Sequence, residues 1–428
     1  MPPTLPVSPL QPAETLLRFT LLQLIAIILA ARVIGFLSQR LGQPRGVGEI
    51  IAGLLLGPSL FGALAPDGFH WLFRSVDAVP LTLMSQIGLI LLMFQVGMEF
   101  DFSRLGERRN RRAAWLITLA GIVLPFILGL GFGLLSAPHL APNIAPPAYG
   151  LFIAVALSIT AVPILGRILM EFGMTRSRLG VIAIAAAAAN DAIGWILLTV
   201  VAAVASSRWS GSVLAQQLGW LLAYLMVSWI LVRPALRSLL RRFPLADGVL
   251  PRDLLGLLLL LVFGSAMVTS QLGIFAIFGG FMAGVLLHDR HDLVAAWRGR
   301  VGDWLEVFFL PIFFTYTGLR TDIGSLASSE SWSWCAALVV LATLGKFGGC
   351  YAAARLGGLS PAESRCIGIL MNTRALMELI VINLGHDMGV LPAPVFTMLV
   401  LMAIFSTIMT APGLRRWLPA SERSGVAG

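Results

Sequence analysis

Long apolar runs alternate with short polar interruptions along almost the whole chain. Thirteen runs can be placed, most of them close to the roughly 20 residues that an α-helix needs to cross a lipid bilayer. They lie at 14–36, 48–64, 80–98, 113–136, 147–170, 180–205, 213–232, 253–270, 274–288, 303–320, 332–353, 364–386 and 393–413. The pattern predicts an all-α, polytopic membrane protein with about thirteen transmembrane helices. Residues 1–13 and 414–428 are predicted to be short tails around a transmembrane domain at 14–413.

The composition agrees with lipid as the solvent of the chain. Hydrophobic residues make up 57% of the 428 residues and charged residues 12%, more apolar surface than a water-soluble core can hide. The number of helices stays open only near 253–288, where Gln271, Leu272 and Gly273 alone separate two runs. The net charge of +9 comes from arginines in loops, so it does not point to nucleic acid.

Arginines gather in alternate loops, as they do on the cytoplasmic side of membrane proteins. Five arginines lie between residues 104 and 112 and five between 233 and 252, whereas none lies between 137 and 146. This asymmetry predicts an outside N-terminus and a cytoplasmic C-terminus. The expected location is a bacterial inner (plasma) membrane.

Asn190 and Asp191 interrupt the sixth run, which is otherwise rich in Ala, Ile, Val and Leu. An ionisable residue inside a span costs about 2.5–3.5 kcal/mol on insertion scales, so it is a functional hypothesis by default. One interpretation of Asp191 is an inert structural charge paired with an arginine. The other is a carboxylate facing a water-filled cavity, where a monovalent cation and a proton compete for its oxygens. Asn190 can offer a donor and an acceptor beside the acid, or can bond a neighbouring helix.

The fifth run contains the segment SITAVP at residues 158–163. Its proline, Pro163, removes a backbone donor and disrupts the preceding turn, which exposes carbonyl groups at membrane depth. Broken helices of this kind line ion sites in transporters, although a simple proline kink fits the same residues. Ser158 and Thr160 are therefore candidate cation ligands.

Lys346, in the eleventh run, is the only lysine in the chain. Unlike arginine, a buried lysine can give up its proton in the physiological pH range. The side chain either extends to an interface or is buried and paired with Asp191.

Arg374 and Glu378, in the twelfth run, are four residues apart and can neutralise one another on one face of a helix. We interpret this pair as structural, holding a polar and interrupted helix together. A direct role in transport is the alternative.

Other residues that could carry chemistry show no such pattern. Cys335, Cys350 and Cys366 lie in or beside apolar stretches without CxxC spacing, and the five histidines lack a metal-binding motif. We expect no cofactor, no enzyme activity, and no metal site other than Asp191 for a monovalent cation.

Five segments together carry a family resemblance: GEIIAGLLLGPS at 48–59, GLILLMFQVGME at 88–99, TAVPILGR at 160–167, ND at 190–191 and MNTR at 371–374. They resemble, in this order, segments of the monovalent cation:proton antiporters. The likeness is closest to the branch of bacterial Kef-type transporters and plant cation/proton exchangers, and it covers essentially the whole chain.

The resemblance implies the sodium/proton antiporter fold, with inverted repeats, a dimerisation bundle, a mobile core bundle and two crossing interrupted helices. It implies that Asp191 binds the cation and the proton with Asn190 as its partner. Thr160 falls in the first interrupted helix, and Lys346 matches a lysine of the core bundle. A homodimer that works by an elevator-like movement is also implied.

The second crossing helix of the family matches the segment with Arg374 and Glu378. The resemblance leaves the stoichiometry open. Asn190 stands where electrogenic members carry a second acid, whereas Lys346 is shared with electrogenic relatives. The nucleotide-binding domain of Kef-type relatives is not expected in this chain.

We therefore expect exchange of Na+ or K+ for H+ across the membrane by alternating access, with Asp191 as the shared site. The expected partners are the cation, the proton, the lipid bilayer and a second copy of the chain. An uncoupled cation channel or a membrane sensor on the same scaffold is the alternative.

Overall fold

A computed structural model describes residues 10–418, apart from 44, 100–107, 161, 173, 175–176, 206–210, 242–248, 273–275 and 375. Most of the predicted N-terminal tail and residues 419–428 of the predicted C-terminal tail lie outside these residues. So do Gly273 of the short predicted turn and part of both arginine-rich loops at 104–112 and 233–252.

The described residues of the first half of the chain form eleven α-helices. These are α1 (Leu10–Arg40), α2 (Arg45–Leu56), α3 (Phe61–Leu64), α4 (Pro66–Phe69), α5 (Val79–Met98), α6 (Arg108–Leu140), α7 (Pro146–Ser158), α8 (Val162–Glu171), α9 (Arg178–Ala205), α10 (Gly211–Val227) and α11 (Arg233–Leu240).

The described residues of the second half form nine more. These are α12 (Arg252–Gln271), α13 (Ala276–Val285), α14 (His291–Trp297), α15 (Leu310–Leu319), α16 (Ser329–Thr343), α17 (Gly349–Leu356), α18 (Pro361–Met371), α19 (Leu376–Asp387) and α20 (Ala393–Trp417). A π-helical turn at Leu344–Gly348 joins α16 to α17, and further π-helical turns lie at His70–Arg74, Ser228–Val232, Arg298–Gly302 and Leu305–Phe309.

Each predicted apolar run falls on one or more of these helices, so the all-α membrane fold is confirmed. Within the described residues, nine helical stretches are long and apolar enough to cross a membrane by themselves. The run at 274–288 forms only the short helix α13, and the run at 303–320 ends a longer helical stretch that starts at His291. The count of thirteen spans therefore stays a prediction.

Two of the predicted spans are interrupted, as the sequence suggested. Helix α7 ends at Ser158, Ile159 is extended with φ −78° and ψ 148°, and α8 begins at Val162. Helix α18 ends at Met371, residues 372–374 are not helical, and α19 begins at Leu376. We call these two gaps the first break and the second break.

The helices pack as two bundles. The first bundle contains α1, α2, α5 and α11–α15, and the second contains α6–α9 and α16–α20. Helix α10 contacts both, packing on α9 and bonding α12 through the hydroxyls of Tyr224 and Ser265. In the first bundle α2 and α15 touch backbone to backbone, because a Cβ atom on Gly318 would lie 2.6 Å from the Cα of Gly53. Both breaks and Asp191 belong to the second bundle.

Helix α20 holds the second break in place. The hydroxyl of Thr407 accepts the backbone N–H of Arg374 at 3.3 Å and donates to the backbone carbonyl of the same residue. The hydroxyls of Thr373 and Thr410 lie 3.1 Å apart. Backbone groups in a dry interior need such partners once a helix is interrupted, so Thr407 replaces missing helical hydrogen bonds of Arg374, while Thr410 contacts the Thr373 side chain.

Replacing Thr407 by valine should therefore destabilise the protein. The change keeps the shape but leaves two buried backbone groups of Arg374 without a partner, which costs about 1–3 kcal/mol. Thr407→Ser keeps the hydroxyl, so it should lose less stability. Ser406→Ala is the matched control, since the buried Ser406 hydroxyl on the same helix has no hydrogen-bond partner among the described residues. Thermal unfolding in one detergent measures all three; equal stability of Thr407→Val and parent would contradict this role.

Candidate ion-binding site

The end of α7 lies inside the second bundle, where the last carbonyl groups of a helix have no helical partners. Arg374 satisfies two of them, donating from Nη1 to the carbonyl of Ala156 at 3.1 Å and from Nη2 to that of Leu157 at 2.9 Å. It also approaches the carbonyl of Ala342 at 3.4 Å. Its Nη1 lies 3.3 Å from the Glu378 carboxylate. Arg374 thus joins the second break to the first.

This arrangement differs in part from the sequence prediction. Arg374 and Glu378 do form an ion pair, and both are buried. Arg374, however, lies in the second break ahead of α19, so the pair does not sit on one helix face as predicted. Two carbonyls of α7 accept hydrogen bonds from the guanidinium, which four-residue spacing could not predict.

Lys346 satisfies a third carbonyl at the end of α7. Its ammonium donates to the carbonyl of Ser158, the last residue of that helix, and at 2.8 Å to the carbonyl of Gly121 in α6. The side chain is fully buried, so it does not extend to an interface. The charge of Asp191 acts on this ammonium, as do those of Arg374 and Glu378.

Two cations therefore face the carboxyl end of one half-helix. That end carries about half a negative charge from the aligned peptide dipoles, and cations there are stabilising. The remaining carbonyl of the last turn, that of Val155, accepts the N–H of Ile159 at 3.2 Å. The first break thus exists without an unsatisfied carbonyl in the last turn of α7.

Asn190 and Asp191 lie deep inside the bundle, near the middle of α9. Asn190 is fully buried and Asp191 is 3% exposed. Small residues around them let the neighbouring helices come close: Gly194 packs against Ile159 of the first break, where a Cβ would lie 2.8 Å from the Ile159 side chain. Asp191 and the first break therefore share one region of the protein.

Several neutral polar groups in this region are buried without a hydrogen-bond partner among the described residues. They are the Thr160 hydroxyl and both polar side-chain atoms of Asn190. Buried polar atoms in this condition are costly unless a water molecule or an ion satisfies them. The Ser158 hydroxyl is different, because it donates to the Ala154 carbonyl at 2.6 Å. Ser158 contributes its backbone carbonyl to the site.

Gly121 is the point where four helices meet. A Cβ at this position would lie 3.0 Å from Sγ of Cys350, 3.5 Å from Nδ2 of Asn190 and 3.8 Å from Cε of Met371. A side chain at this position would press on the Cys350 sulfur, and the carbonyl of Gly121 is the one that binds Lys346.

Sequence reasoning missed several residues that the structure places at or beside the site. They are Gly121 and Pro125 in α6, Asn372 in the second break, and Thr407 and Thr410 in α20. Asn372 is fully buried, and both polar atoms of its side chain lack a partner among the described residues. The signals in the sequence were a proline inside the fourth run and polar residues inside the twelfth and thirteenth.

The polar groups around the two breaks are of several chemical types. Within the described part of the chain, no three His, Cys, Asp or Glu side chains cluster as a metal site requires. The groups around the breaks include two carboxylates, Asp191 and Glu378, two basic side chains, Lys346 and Arg374, and neutral oxygens.

Comparisons with known proteins identify the family of the chain. The profile of the family described as sodium/hydrogen exchanger, transmembrane, matches residues 25–418. The Na(+)/H(+) antiporter NhaS4 of Synechocystis sp. is 38% identical over 402 residues, which cover 94% of this chain and 97% of that protein. Cation/H(+) antiporter 17 of Arabidopsis thaliana is 35% identical; the match covers 94% of this chain and 48% of the plant protein.

A solved structure shows the same fold. The sodium proton antiporter MjNhaP1 from Methanocaldococcus jannaschii matches with a TM-score of 0.64 at 16% identity, over 96% of this chain and 100% of that chain. At this identity the likeness establishes the fold alone, and the family assignment comes from the sequence matches. The chain belongs to the sodium/hydrogen exchanger family of monovalent cation:proton antiporters, and it is a multi-pass membrane transporter and not an enzyme.

Proposed function

We propose that this protein exchanges a monovalent cation, Na+ or K+, for H+ by alternating access, with Asp191 as the shared site: its carboxylate binds the cation in one state and balances the charge of the protonated Lys346 in the other. The observation that carries the proposal is the position of Asp191. It is buried beside the first break, and its charge acts on Lys346, the fully buried lysine that caps α7. The names of the relatives, Na(+)/H(+) antiporter and Cation/H(+) antiporter, support exchange but do not choose the cation.

Charge balance explains how one site can couple the two ions. Asp191 and Glu378 supply two negative charges, and Lys346 and Arg374 supply two positive charges. These four side chains are therefore neutral as a group when no cation is bound. A cation that enters adds one positive charge to a dry interior, where a net charge is expensive. Loss of the Lys346 proton restores neutrality. Arg374 cannot do this, because a guanidinium keeps its proton.

Binding of the cation then needs oxygens as well as charge. Asp191 would supply the carboxylate, and Thr160 and Asn190 would supply neutral oxygens that have no partner among the described residues. When the cation leaves, Lys346 regains its proton and again faces Asp191. One carboxylate with one lysine is therefore sufficient for competition between a cation and a proton.

Alternating access requires movement, and the two bundles provide the parts that could move. Near the ends of α15 and α19 they meet through polar side chains. Arg320 of the first bundle binds Asp387 and, at 3.1 Å, Asn383 of the second. Asn383 in turn donates to the Thr317 hydroxyl at 3.1 Å. With the N-terminus outside, as we propose, this contact lies at the outer end of the protein.

Exchange itself can be tested in everted vesicles that carry a preformed pH gradient. Addition of Na+, K+ or Li+ should collapse the gradient in the parent, and Asp191→Asn should abolish the response because a neutral amide cannot carry the exchanged charge. Asp253→Asn, an exposed aspartate at the start of α12, is the matched control and should keep parent activity. Unchanged exchange in Asp191→Asn would refute the assignment. Cation flux that is independent of the pH difference would identify a channel.

The movement can be tested by joining the two bundles at Thr317 and Asn383. The double variant Thr317→Cys/Asn383→Cys, treated with a short thiol-to-thiol crosslinker, should lose nearly all exchange if the contact must open in each cycle. A reducible crosslinker should allow recovery on reduction. The two single-cysteine variants, treated in the same way, control for the buried native cysteines. Parent exchange rates in the crosslinked protein would show that this contact does not open during transport.

A further inference from the structure

Helix α6 carries a proline, Pro125, within its length. A proline inside a helix has no N–H to donate to the carbonyl four residues earlier. That carbonyl belongs to Gly121. It is the carbonyl that accepts the Lys346 ammonium at 2.8 Å, so the acceptor that helix geometry would normally occupy is open to the lysine.

The segment that carries Lys346 packs directly on this proline. A Cβ on Gly345 would lie 3.3 Å from Cα and 3.6 Å from Cβ of Pro125, so Gly345 lets the two helices touch there. The same segment is the π-helical turn Leu344–Gly348. Such turns are rare in proteins, and those that occur often lie at functional sites. Pro125, Gly345 and the π-helical turn together bring the lysine to the Gly121 carbonyl.

We propose that Pro125 is a positioning residue for cation/proton exchange: by withholding a backbone N–H, it keeps the Gly121 carbonyl as an acceptor for the charged form of Lys346. This inference rests on the proposed function. It adds a determinant of the pH at which the protein works, located in a helix that carries none of the predicted ion ligands.

The consequence of restoring the N–H follows from the partners of Lys346. In Pro125→Ala the new N–H can bond the Gly121 carbonyl, as in any regular helix. The ammonium then keeps the Ser158 carbonyl but shares or loses the Gly121 carbonyl. Losing an acceptor disfavours the charged form, so proton release occurs at lower pH.

The other charged and titratable groups that face Lys346 stay in place. They are Asp191 of α9, Arg374 of the second break, Glu378 of α19 and Cys350 of α17. The change at position 125 removes none of these side chains, so a shift of the pH profile reports on the Gly121 carbonyl.

The experiment compares pH profiles of exchange in everted vesicles. Pro125→Ala and Pro125→Gly both restore the N–H, and the glycine variant also adds no side-chain atom toward Gly345. We expect the midpoint of activity to move toward acid by about one pH unit, the size of effect that loss of one charge-assisted hydrogen bond produces. Pro138→Ala is the matched control. It is the other proline inside α6, is exposed, and should leave the midpoint unchanged.

A double variant separates positioning from general damage. In Lys346→Gln, whose pH profile should itself differ from the parent, adding Pro125→Ala should produce no further shift. The inference would be overturned if both Pro125 variants had the same pH midpoint of exchange as the parent. It would also be overturned if Pro125→Ala shifted the midpoint equally in the Lys346→Gln background. Parent vesicles and Asp191→Asn vesicles are assayed beside them. Failure of the parent to exchange ions would refute the proposed function, whereas an exchanging parent with unshifted Pro125 variants would refute only the role of Pro125.

Discussion

The structure depends on how the last backbone carbonyls of α7 find hydrogen-bond donors in an interior without free water. A helix that stops at membrane depth leaves carbonyl groups that each cost several kcal/mol if they stay unbonded. Here Arg374 takes the carbonyls of Ala156 and Leu157, and Lys346 takes that of Ser158. The first break can exist because two buried cations end it, and those cations need buried carboxylates to balance them. Asp191 and Glu378 supply that balance.

This constraint connects the two breaks with the rest of the second bundle. Arg374 can reach α7 only if the second break is held, and Thr407 of α20 holds its backbone. Lys346 can reach Gly121 and Ser158 together because a π-helical turn carries it and because Pro125 leaves one carbonyl open. The proposed ion site is therefore the region where α6, α7, α9, the α16–α17 helix and the second break meet. A change in any one of them would alter the charge environment of Asp191.

Much of this could be predicted from the sequence. Apolar runs of membrane length predicted the helices, the proline segment at 158–163 predicted the first break, and a single lysine among many arginines indicated a special position. The hydrogen-bond partners of Arg374 and Lys346 could not be predicted, because they are distant in the chain. Arg374 bonds residues 217 and 218 positions away, and Lys346 bonds residues 188 and 225 positions away. Spacing along one helix suggested Glu378 for Arg374 and could not suggest carbonyls of another helix. Pro125 and Thr407 were passed over because each acts through the backbone of a different residue.

Exchange as proposed requires that a cation and a proton compete within one buried, charge-balanced site. The most direct measurement is proton release when the cation binds to the purified protein, obtained by calorimetry in buffers with different heats of ionisation. We expect that Na+ or K+ binding to the parent releases protons into the buffer, and that Asp191→Asn releases none. Cation binding to the parent without any proton release, under conditions where the parent exchanges ions, would contradict this competition.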